Sequence, residues 1–420
     1  MEIYCVGGAV RDELLGLPVA DRDYVVVGAT PEEMIRRGFK PVGRDFPVFL
    51  HPQTREEYAL ARTERKVARG YKGFTVYAAP EVTLEQDLAR RDLTINAIAK
   101  DASGGLIDPF GGARDLRAGI LRHVGAAFAE DPVRILRVGR FAARYGFAVA
   151  EGTMALMCQM VADGEADALV PERVWQEFAK GLMEDAPQRM FAVLARSGLL
   201  ARLLPELEFA YENGAPANDA ARTALAGLVY AARNYYPLPV RFALLFPGLR
   251  AAAGAAAAPR KAGEVAARLR APNDCRELAV TMLRHAGDVK RAAKLAPDAL
   301  LVLLEGCDAF RRPARLAELL LACEAERLGE RGWVELPYPP RLALGSALAA
   351  AASIDAGAIA AGSERTRIAA NVRSARLAAI TKSLARALPD AATRAVTKAV
   401  TRAATRAATK PVVRAVKRRA

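Results

Sequence analysis

The chain has 420 residues, 52% of them hydrophobic, and a net charge of +14. This length predicts several domains with buried cores, and no apolar stretch is long enough to span a membrane. The first residues lack the basic-then-apolar layout of a signal peptide. The five dispersed cysteines form no Cys-x-x-Cys pair, which argues against a zinc site or a disulfide framework. A cytoplasmic protein is the simplest account.

The positive charge is concentrated at the end of the chain. Residues 381–420 hold eleven Lys or Arg and one acid, so they carry +10 and the remaining residues carry only +4. An excess of positive charge favours an anionic macromolecular partner. Residues 393–416 also repeat a four-residue Thr-Arg/Lys-Ala pattern, which indicates a mostly disordered basic tail.

Residues 1–115 alternate between strand-like and helix-like segments. Strands are predicted at 3–6, 23–27, 47–51 and 57–61, and helices at 9–16 and 31–38. From about residue 128 the apolar spacing is helical, clearly so at 132–147, 174–183 and 189–204, with 250–259 as a loose connection. The pattern predicts an α+β protein in which a small mixed α/β head precedes an all-helical region.

Two short motifs near the start share one strand–helix–strand unit. Gly7 and Gly8 follow the first strand, and a double glycine before a helix lets the backbone approach phosphate oxygens. Asp21 and Asp23 begin the next strand, where residues i and i+2 face the same side. Two such carboxylates repel unless a divalent cation such as Mg²⁺ joins them. Either motif alone is most often an ordinary turn, but together they indicate a metal–nucleoside triphosphate site.

Further motifs follow in chain order, and each also has an ordinary structural interpretation. Residues 62–75 form a basic, glycine-broken segment, and RRDLTINA at 90–97 could be a cap with ion pairs. DPFGGARDL at 108–116 has the composition of a hinge. In EDPVRILRVGR at 130–140, arginines recur every third position of a predicted helix, a pattern typical of a solvated face.

Taken in this order, GGAVRD, DRD, RRDLTINA, DPFGGARDL and EDPVR resemble the nucleotidyltransferase superfamily that includes DNA polymerase beta. The closest similarity is to its class II branch, the CCA-adding tRNA nucleotidyltransferases and bacterial poly(A) polymerases, over about residues 1–205. The resemblance implies a head at 1–115, a neck at 116–205, a body at 206–380 and a tail at 381–420. It also implies CTP and ATP as substrates and the acceptor end of tRNA as partner.

The resemblance also assigns roles to residues. Asp21 and Asp23 would be catalytic ligands of Mg²⁺, with Glu64 in a flexible loop as the candidate third carboxylate. The nucleotide-binding residues would be Gly8 and Arg11, then Arg91 at the triphosphate with Asp92 and Asn96 at the sugar, then Asp131, Arg134, Arg137 and Arg140. Asp131 and Arg134 would bind the base edge, because a carboxylate only accepts and an arginine only donates hydrogen bonds.

Residues 171–182 match a bracing helix of the family, in which Arg173 and Glu177 are expected to be structural. One stretch departs from the family. Relatives often carry a His-Asp phosphohydrolase site, but here Pro247-Gly248 replaces the His-Asp pair and His285 is the only histidine after residue 123. One histidine cannot build a binuclear His/Asp site, so phosphatase and cyclic phosphodiesterase activities should be absent.

The expected function is template-independent addition of CCA to tRNA. A poly(A) polymerase is the nearest alternative, against which the lack of an extension before the first strand argues. A non-enzymatic RNA-binding protein is the third, and the paired Asp21 and Asp23 argue against it. The partner of the basic tail stays open, with RNA as one candidate.

Overall fold

The computed structural model describes residues 1–19, 21–42, 48–66, 74–208, 211–212, 215–216, 218–330 and 337–385. The described residues divide into two compact units. The first contains residues 1–181 and 189–203, and the second contains 182–188 and the described residues from 204 to 385. The predicted α+β class is confirmed, because the sheet lies in the first unit and the second is mainly helical.

The strands are β1 Glu2–Val6, β2 Asp23–Val27, β3 Lys40–Val42, β4 Val48–Leu50, β5 Glu57–Leu60, β6 Arg62–Lys66, β7 Phe74–Ala78, β8 Ala99–Lys100, β9 Leu106–Ile107, β10 Ile120–Leu121, β11 Ala148–Val149, β12 Tyr211–Glu212 and β13 Ala215–Pro216. The helices of the first half are α1 Gly8–Leu14, α2 Pro31–Arg36, α3 Leu84–Ala89, α4 Gly112–Ala118, α5 Val133–Tyr145, α6 Glu151–Ala162, α7 Pro171–Met183, α8 Pro187–Arg196, α9 Leu199–Leu203 and α10 Pro205–Glu208. Those of the second half are α11 Asp219–Arg233, α12 Leu238–Ala243, α13 Leu249–Ala253, α14 Ala258–Arg268, α15 Asn273–Arg291, α16 Pro297–Gly306, α17 Pro313–Glu330, α18 Pro339–Ala352, α19 Ala356–Ala361 and α20 Ile368–Ala385.

The main sheet has seven strands in the order β3-β4-β5-β2-β1-β8-β9. Strand β2 lies at its centre, antiparallel to β1 and parallel to β5, with Asp23 opposite Val6 on one side and Glu57 on the other. Successive side chains of a strand alternate between faces, and Val25 and Val26 accordingly enter different buried clusters. Asp23 therefore begins a strand that is buried on both faces, and Asp21 lies two residues before it.

Local signals explain the short elements of the head. Thr30 accepts a hydrogen bond from the Glu33 backbone N–H at the start of α2, and Thr83 forms a capping box with Gln86 at the start of α3. The helix α3 was not predicted from the sequence, although this Thr-x-x-Gln pattern marks it. Predicted strands 3–6, 23–27, 47–51 and 57–61 are all present within one residue at each end.

Close contacts between helices of the first unit depend on small residues. A Cβ at Gly139 of α5 would lie 3.2 Å from Met190 Cγ. At Gly181 of α7 a Cβ would lie 2.2 Å from the Met190 sulfur. Both α5 and α7 thus pack against α8 at glycines, which fixes the two helices that carry the arginine motif and the bracing motif.

In the second unit, Arg241 of α12 is 2% exposed and donates hydrogen bonds to four backbone carbonyls. The loose connection expected at 250–259 is confined to residues 254–257, because α13 continues to Ala253 and α14 begins at Ala258. Alanine favours helix, which explains why the connection is shorter than predicted. The last helix continues to Ala385, into the segment predicted as tail. None of the helices built from described residues is long and apolar enough to cross a membrane.

Candidate active site

The double glycine joins β1 to α1. Gly7 has a φ of 70°, in the left-handed region that favours glycine, and its backbone N–H donates to the Ile98 carbonyl. A Cβ at this position would lie 2.9 Å from Nη1 of Arg91. Gly7 is therefore required both for the turn and for the close approach of an arginine from the RRDLTINA motif.

Arg11 lies on α1 and is only 5% exposed. Its Nη1 donates to Asn96 Oδ1 at 2.5 Å, and its Nε donates to Asp12 Oδ1 at 2.8 Å. The guanidinium carbon lies 5.1 Å from the Phe141 ring and 5.2 Å from the Tyr145 ring, within the range of cation–π attraction. Arg11 thus joins α1, the RRDLTINA motif and α5 through one buried charge.

Asp21 and Asp23 both line one cleft. Burial raises the pKa of the Asp23 carboxyl, Arg91 opposes this by favouring the charged form, and the negative charge of Asp21 adds to the rise. The pair therefore has the repulsion that the sequence predicted. A bound cation would relieve it, and two carboxylates with phosphate oxygens are a typical ligand set for Mg²⁺.

Side chains of the RRDLTINA motif form a hydrogen-bond network with each other and with arginines of other elements. Asp92 Oδ1 accepts hydrogen bonds from the Asn96 side chain at 2.9 Å and from the Leu93 backbone N–H, while its Oδ2 accepts from Arg137 Nε at 2.7 Å. Burial opposes ionisation of Asp92, but Arg137 and the hydrogen bonds outweigh it and lower its pKa to about 2. Asp92 and Asn96 thus link Arg11 to Arg137.

Arg91 is held by a carboxylate outside the motif, that of Asp87. Its Nη2 lies 3.1 Å from Oδ2 of Asp87, a fully buried carboxylate that also binds Arg90. Burial works against the charged form of Asp87, yet Arg90 and Arg91 keep its pKa below the usual value. Asp87 therefore holds two adjacent guanidiniums at the cleft.

Helix α5 begins at the predicted base-binding residues. Arg134 is 9% exposed and donates from Nη1 to the Ala127 carbonyl at 3.0 Å and from Nη2 to the Arg90 carbonyl at 2.8 Å. Asp131 accepts the Val133 backbone N–H and also the two terminal nitrogens of Arg173, at 3.1 and 2.7 Å. Both side chains are positioned by the protein itself.

Farther along α5, Glu177 of α7 lies between two arginines. Its Oε2 accepts from Arg140 Nε at 2.6 Å, and its Oε1 lies 3.6 Å from Arg137 Nη1. Glu177 is 8% exposed, so it neutralises part of this charge in a buried setting. The expected bracing role of Glu177 fits these contacts, whereas Arg173 also lines the cleft.

These side chains surround a cleft of about 690 Å³. It is lined by Gly7, Gly8, Arg11, Asp21, Asp23, Arg90, Arg91, Asp92, Asn96, Asp131, Arg134, Arg137, Arg140, Phe141, Arg144, Arg173 and Lys180. Every predicted site residue is present except Glu64, whose side chain lies outside the described part of the chain. The structure thus brings three distant motifs to one volume.

Sequence reasoning missed Arg144 and Lys180. Arg144 lies seven residues after Arg137 on α5, and Lys180 lies seven residues after Arg173 on α7. Residues seven apart share a face of an α-helix, so extending each motif by that interval would have found them.

A second cleft of about 710 Å³ adjoins the carboxylates and is lined by Val19, Asp21, Arg22, Asp23, Thr54, Arg55, Glu56 and Glu57. Asp21 and Asp23 thus line both clefts. Glu57 of β5 lies opposite Asp23 in parallel register, so the two residues face the same side of the sheet. This placement was not predicted, because strand register is not encoded locally.

The comparison with family models first defines the class. Residues 3–122 match the poly A polymerase head domain, and residues 146–210 match a family described as the probable RNA and SrmB-binding site of polymerase A. A CCA-adding enzyme in complex with CTP has the same fold, with a TM-score of 0.66 at 21% identity over 96% of this chain and 91% of that one. A CCA-adding enzyme in complex with ATP gives a TM-score of 0.64 at 22% identity over 90% and 86%.

A closer relative defines the family. The multifunctional CCA protein of Chromobacterium violaceum is 58% identical over 400 residues, which cover 91% of this chain and 98% of that protein. The chain belongs to the class II CCA-adding tRNA nucleotidyltransferases. The resemblance that its motifs carried is therefore confirmed.

Proposed function

We propose that this enzyme adds C, C and A to the 3′ end of tRNA from CTP and ATP in the cleft of about 690 Å³ and releases pyrophosphate. The observation that carries the proposal is the convergence of paired carboxylates and arginines from three motifs on one open volume. A nucleoside triphosphate carries its charge along the phosphates and its identity at the base. The cleft offers cations along its length and a carboxylate at the Asp131 end.

Asp21 and Asp23 are the proposed metal-binding residues. Mg²⁺ bound to them would lower the pKa of the 3′-hydroxyl and stabilise the leaving pyrophosphate. Their own part is to hold negative charge at the start of β2, opposite Arg91. Among the described residues no group of three or more His, Cys, Asp or Glu side chains is arranged to hold a metal, and phosphate oxygens suit the remaining Mg²⁺ positions.

Arg11, Arg91, Arg137 and Arg140 are the proposed triphosphate contacts, with the backbone of Gly8 beside them. Each of these arginines is already oriented by a carboxylate or amide partner: Asp12 and Asn96, Asp87, Asp92, and Glu177, respectively. Such preorganised charges stabilise the charge that develops during phosphoryl transfer, because little reorganisation is needed at the moment of reaction.

The base is selected by Asp131 and Arg134. Cytosine and adenine both present an exocyclic amino donor, whereas uracil and guanine present a carbonyl acceptor at the corresponding position. A carboxylate accepts from an amino group but repels a carbonyl oxygen, and an arginine donates to the neighbouring ring nitrogen. The same pair of side chains therefore accepts C and A and rejects U and G.

The acceptor end of tRNA would approach through the second cleft. In-line displacement requires the attacking 3′-hydroxyl and the leaving pyrophosphate to lie on opposite sides of the α-phosphate. Asp21 and Asp23 line both clefts, so they are placed between the nucleotide and an acceptor on the other side. Glu57 also lines this second cleft, in register with Asp23, and Glu64 stays the proposed candidate for a third carboxylate.

The proposed organisation is a head at 1–115, a neck at 116–205, a body at 206–380 and a tail at 381–420. The partner is the tRNA acceptor end, the place of action is the cytoplasm where tRNA is completed, and the basic tail contributes RNA affinity.

The function is tested with tRNA that lacks its CCA, incubated with labelled CTP or ATP separately. CTP alone should give a defined two-C product, and ATP should extend only that product. Long A tracts from ATP alone would instead identify a poly(A) polymerase.

A further inference from the structure

One face of helix α7 lies along the nucleotide cleft. Arg173, Glu177 and Lys180 are spaced four and three residues apart, which places them on one side of an α-helix. Arg173 binds Asp131, Glu177 binds Arg137 and Arg140, and Lys180 lines the cleft. Asp131, just before α5, and Arg137 and Arg140 of α5 are thus each paired with a charged side chain of α7.

The contacts of Asp131 show what Arg173 does. Its Oδ1 accepts the Val133 backbone N–H at 3.1 Å and Arg173 Nη1 at 3.1 Å, and its Oδ2 accepts Arg173 Nη2 at 2.7 Å. A carboxylate has about four acceptor positions. The fork of Arg173 therefore fixes the plane of the carboxylate and leaves an acceptor position on Oδ2 beside the cleft.

A fixed carboxylate plane matters for discrimination. Cytosine and uracil have the same size and shape, so a pocket separates them only by the direction of hydrogen bonds. A carboxylate free to rotate can turn away from the uracil carbonyl and lose the repulsion that rejects it. A bidentate guanidinium prevents this, because its two parallel hydrogen bonds set orientation as well as charge.

We propose that Arg173 is a specificity-determining positioning residue: it holds Asp131 so that one oxygen accepts the amino group of cytosine or adenine and rejects the carbonyl of uracil or guanine. The inference rests on the proposed role of Asp131 and Arg134 in base selection. Arg173 acts through Asp131, whereas Glu177, on the same helix, acts through Arg137 and Arg140 on every nucleotide alike.

The test measures kcat/KM for CTP and for UTP on tRNA lacking its CCA. Arg173→Gln keeps a hydrogen-bonding side chain but removes the charged fork, and the CTP/UTP ratio should fall by about tenfold to a hundredfold, the range of one bidentate contact. Arg173→Lys keeps the charge as a single point and should restore only part of the ratio. A purely structural role would lower both rates by the same factor, leave the ratio unchanged, and overturn the proposal.

Glu177→Gln is the matched control on α7. It should lower the rates for CTP and UTP together and keep their ratio within about twofold, because its proposed partners bind phosphates common to all nucleotides.

Asp131→Asn separates the proposed base selection by Asp131 from the proposed positioning of Asp131 by Arg173. An unchanged ratio in Asp131→Asn would overturn base selection by Asp131 and this inference with it. A changed ratio in Asp131→Asn with an unchanged ratio in Arg173→Gln would overturn the inference alone. If Arg173→Gln proves too unstable to assay, the CTP/UTP ratio of Arg173→Lys decides alone, and a wild-type ratio there overturns the proposal.

Discussion

Each unit contains an almost fully buried arginine, Arg134 in the first and Arg241 in the second, and the surroundings of the two guanidiniums differ. Arg134 in the first unit is 9% exposed and lines the cleft of about 690 Å³, together with thirteen other charged or amide side chains. Arg241 in the second unit is 2% exposed and donates hydrogen bonds to the carbonyls of Tyr236, Leu182, Glu184 and Ala232. Burial alone therefore does not distinguish an arginine that lines an open cleft from one that is enclosed by the fold.

The environment of each guanidinium makes the distinction. Around Arg241, burial lowers the pKa to about 10, with Asp185 and Glu184 opposing that shift, and the surrounding helices are filled with apolar side chains. Arg134 also donates to two carbonyls, those of Ala127 and Arg90, but it lines an open cleft together with many charged side chains. Buried charges that line an open volume indicate a charged ligand, whereas a buried charge enclosed by carbonyls stabilises a fold.

The largest expected effect is at the carboxylate pair. Asp21→Ala or Asp23→Ala should abolish both CMP and AMP addition with the fold intact, because losing a metal ligand removes several kcal/mol of transition-state stabilisation, about a thousandfold or more in rate. Single-turnover assays on tRNA with and without CC provide the measurement. Glu85→Gln, an exposed carboxylate of the same head, is the control. Residual activity within tenfold of wild type would refute the metal assignment.

Arg241→Met should affect stability and leave nucleotide choice unchanged. Removing the guanidinium leaves buried carbonyls without donors, at a cost of about 3 kcal/mol. Amide hydrogen exchange in α11 and α12 should become roughly a hundredfold faster. Arg276→Met, an exposed arginine of α15, should change exchange little. If Arg241→Met altered the CTP/UTP ratio, the contrast between the two buried arginines would fail.

Arg134→Ala should alter discrimination more than overall chemistry. The loss of a contact to the base edge costs about 1–3 kcal/mol of discrimination, so the preference for CTP over UTP should fall about five- to a hundredfold. Competition assays with CTP, ATP, UTP and GTP measure this directly, with exposed Arg117→Ala of α4 as control. Unchanged rejection of UTP and GTP would remove Arg134 from base selection.

Deleting residues 386–420 should change affinity without changing chemistry, because every residue assigned to the cleft precedes residue 181. If about four to six cations of this segment contact phosphates, the log–log salt slope for tRNA binding should become shallower by roughly three to four units. The transfer rate at saturating tRNA should stay the same, and the difference in affinity should shrink at high salt. An unchanged salt slope would exclude RNA binding by the tail, and the tail would then either bind a protein partner or have no partner.

The smallest expected signal is in a phosphatase assay. The purified enzyme should not hydrolyse 2′,3′-cyclic AMP with Ni²⁺ or Mg²⁺ supplied, because Pro247 and Gly248 stand where relatives carry a His-Asp pair. A mock purification from cells that do not produce the enzyme, run in parallel, reveals contamination by other phosphatases. Reproducible metal-dependent turnover would show that the second unit holds a site in other residues.

The sequence predicted the head and the cleft well because both depend on short motifs with strict local geometry. Gly7, Asp21 and Asp23 could be placed on one strand–helix–strand unit from spacing alone. Contacts between distant segments could not, since nothing local relates Glu57 to Asp23 or Arg173 to Asp131. The helical second half was predicted as a class but not in its boundaries, because alanine-rich segments carry weak stop signals, as at residues 250–259.

The residue next to Arg11 anchors the end of helix α5. Tyr145 at the end of α5 donates to Asp12 at 2.8 Å, and Arg144 donates to the other oxygen of Asp12 at 3.2 Å. From Arg134 to Tyr145 the helix rises about 16 Å, so the length of α5 sets the separation between Arg134 and the end of the helix that is anchored to Asp12. If Arg134 contacts the base and Arg11 the triphosphate, as proposed, the same helix sets their separation for a pyrimidine and for a purine. An insertion in α5 would change this separation, whereas a substitution would alter only one contact along the helix.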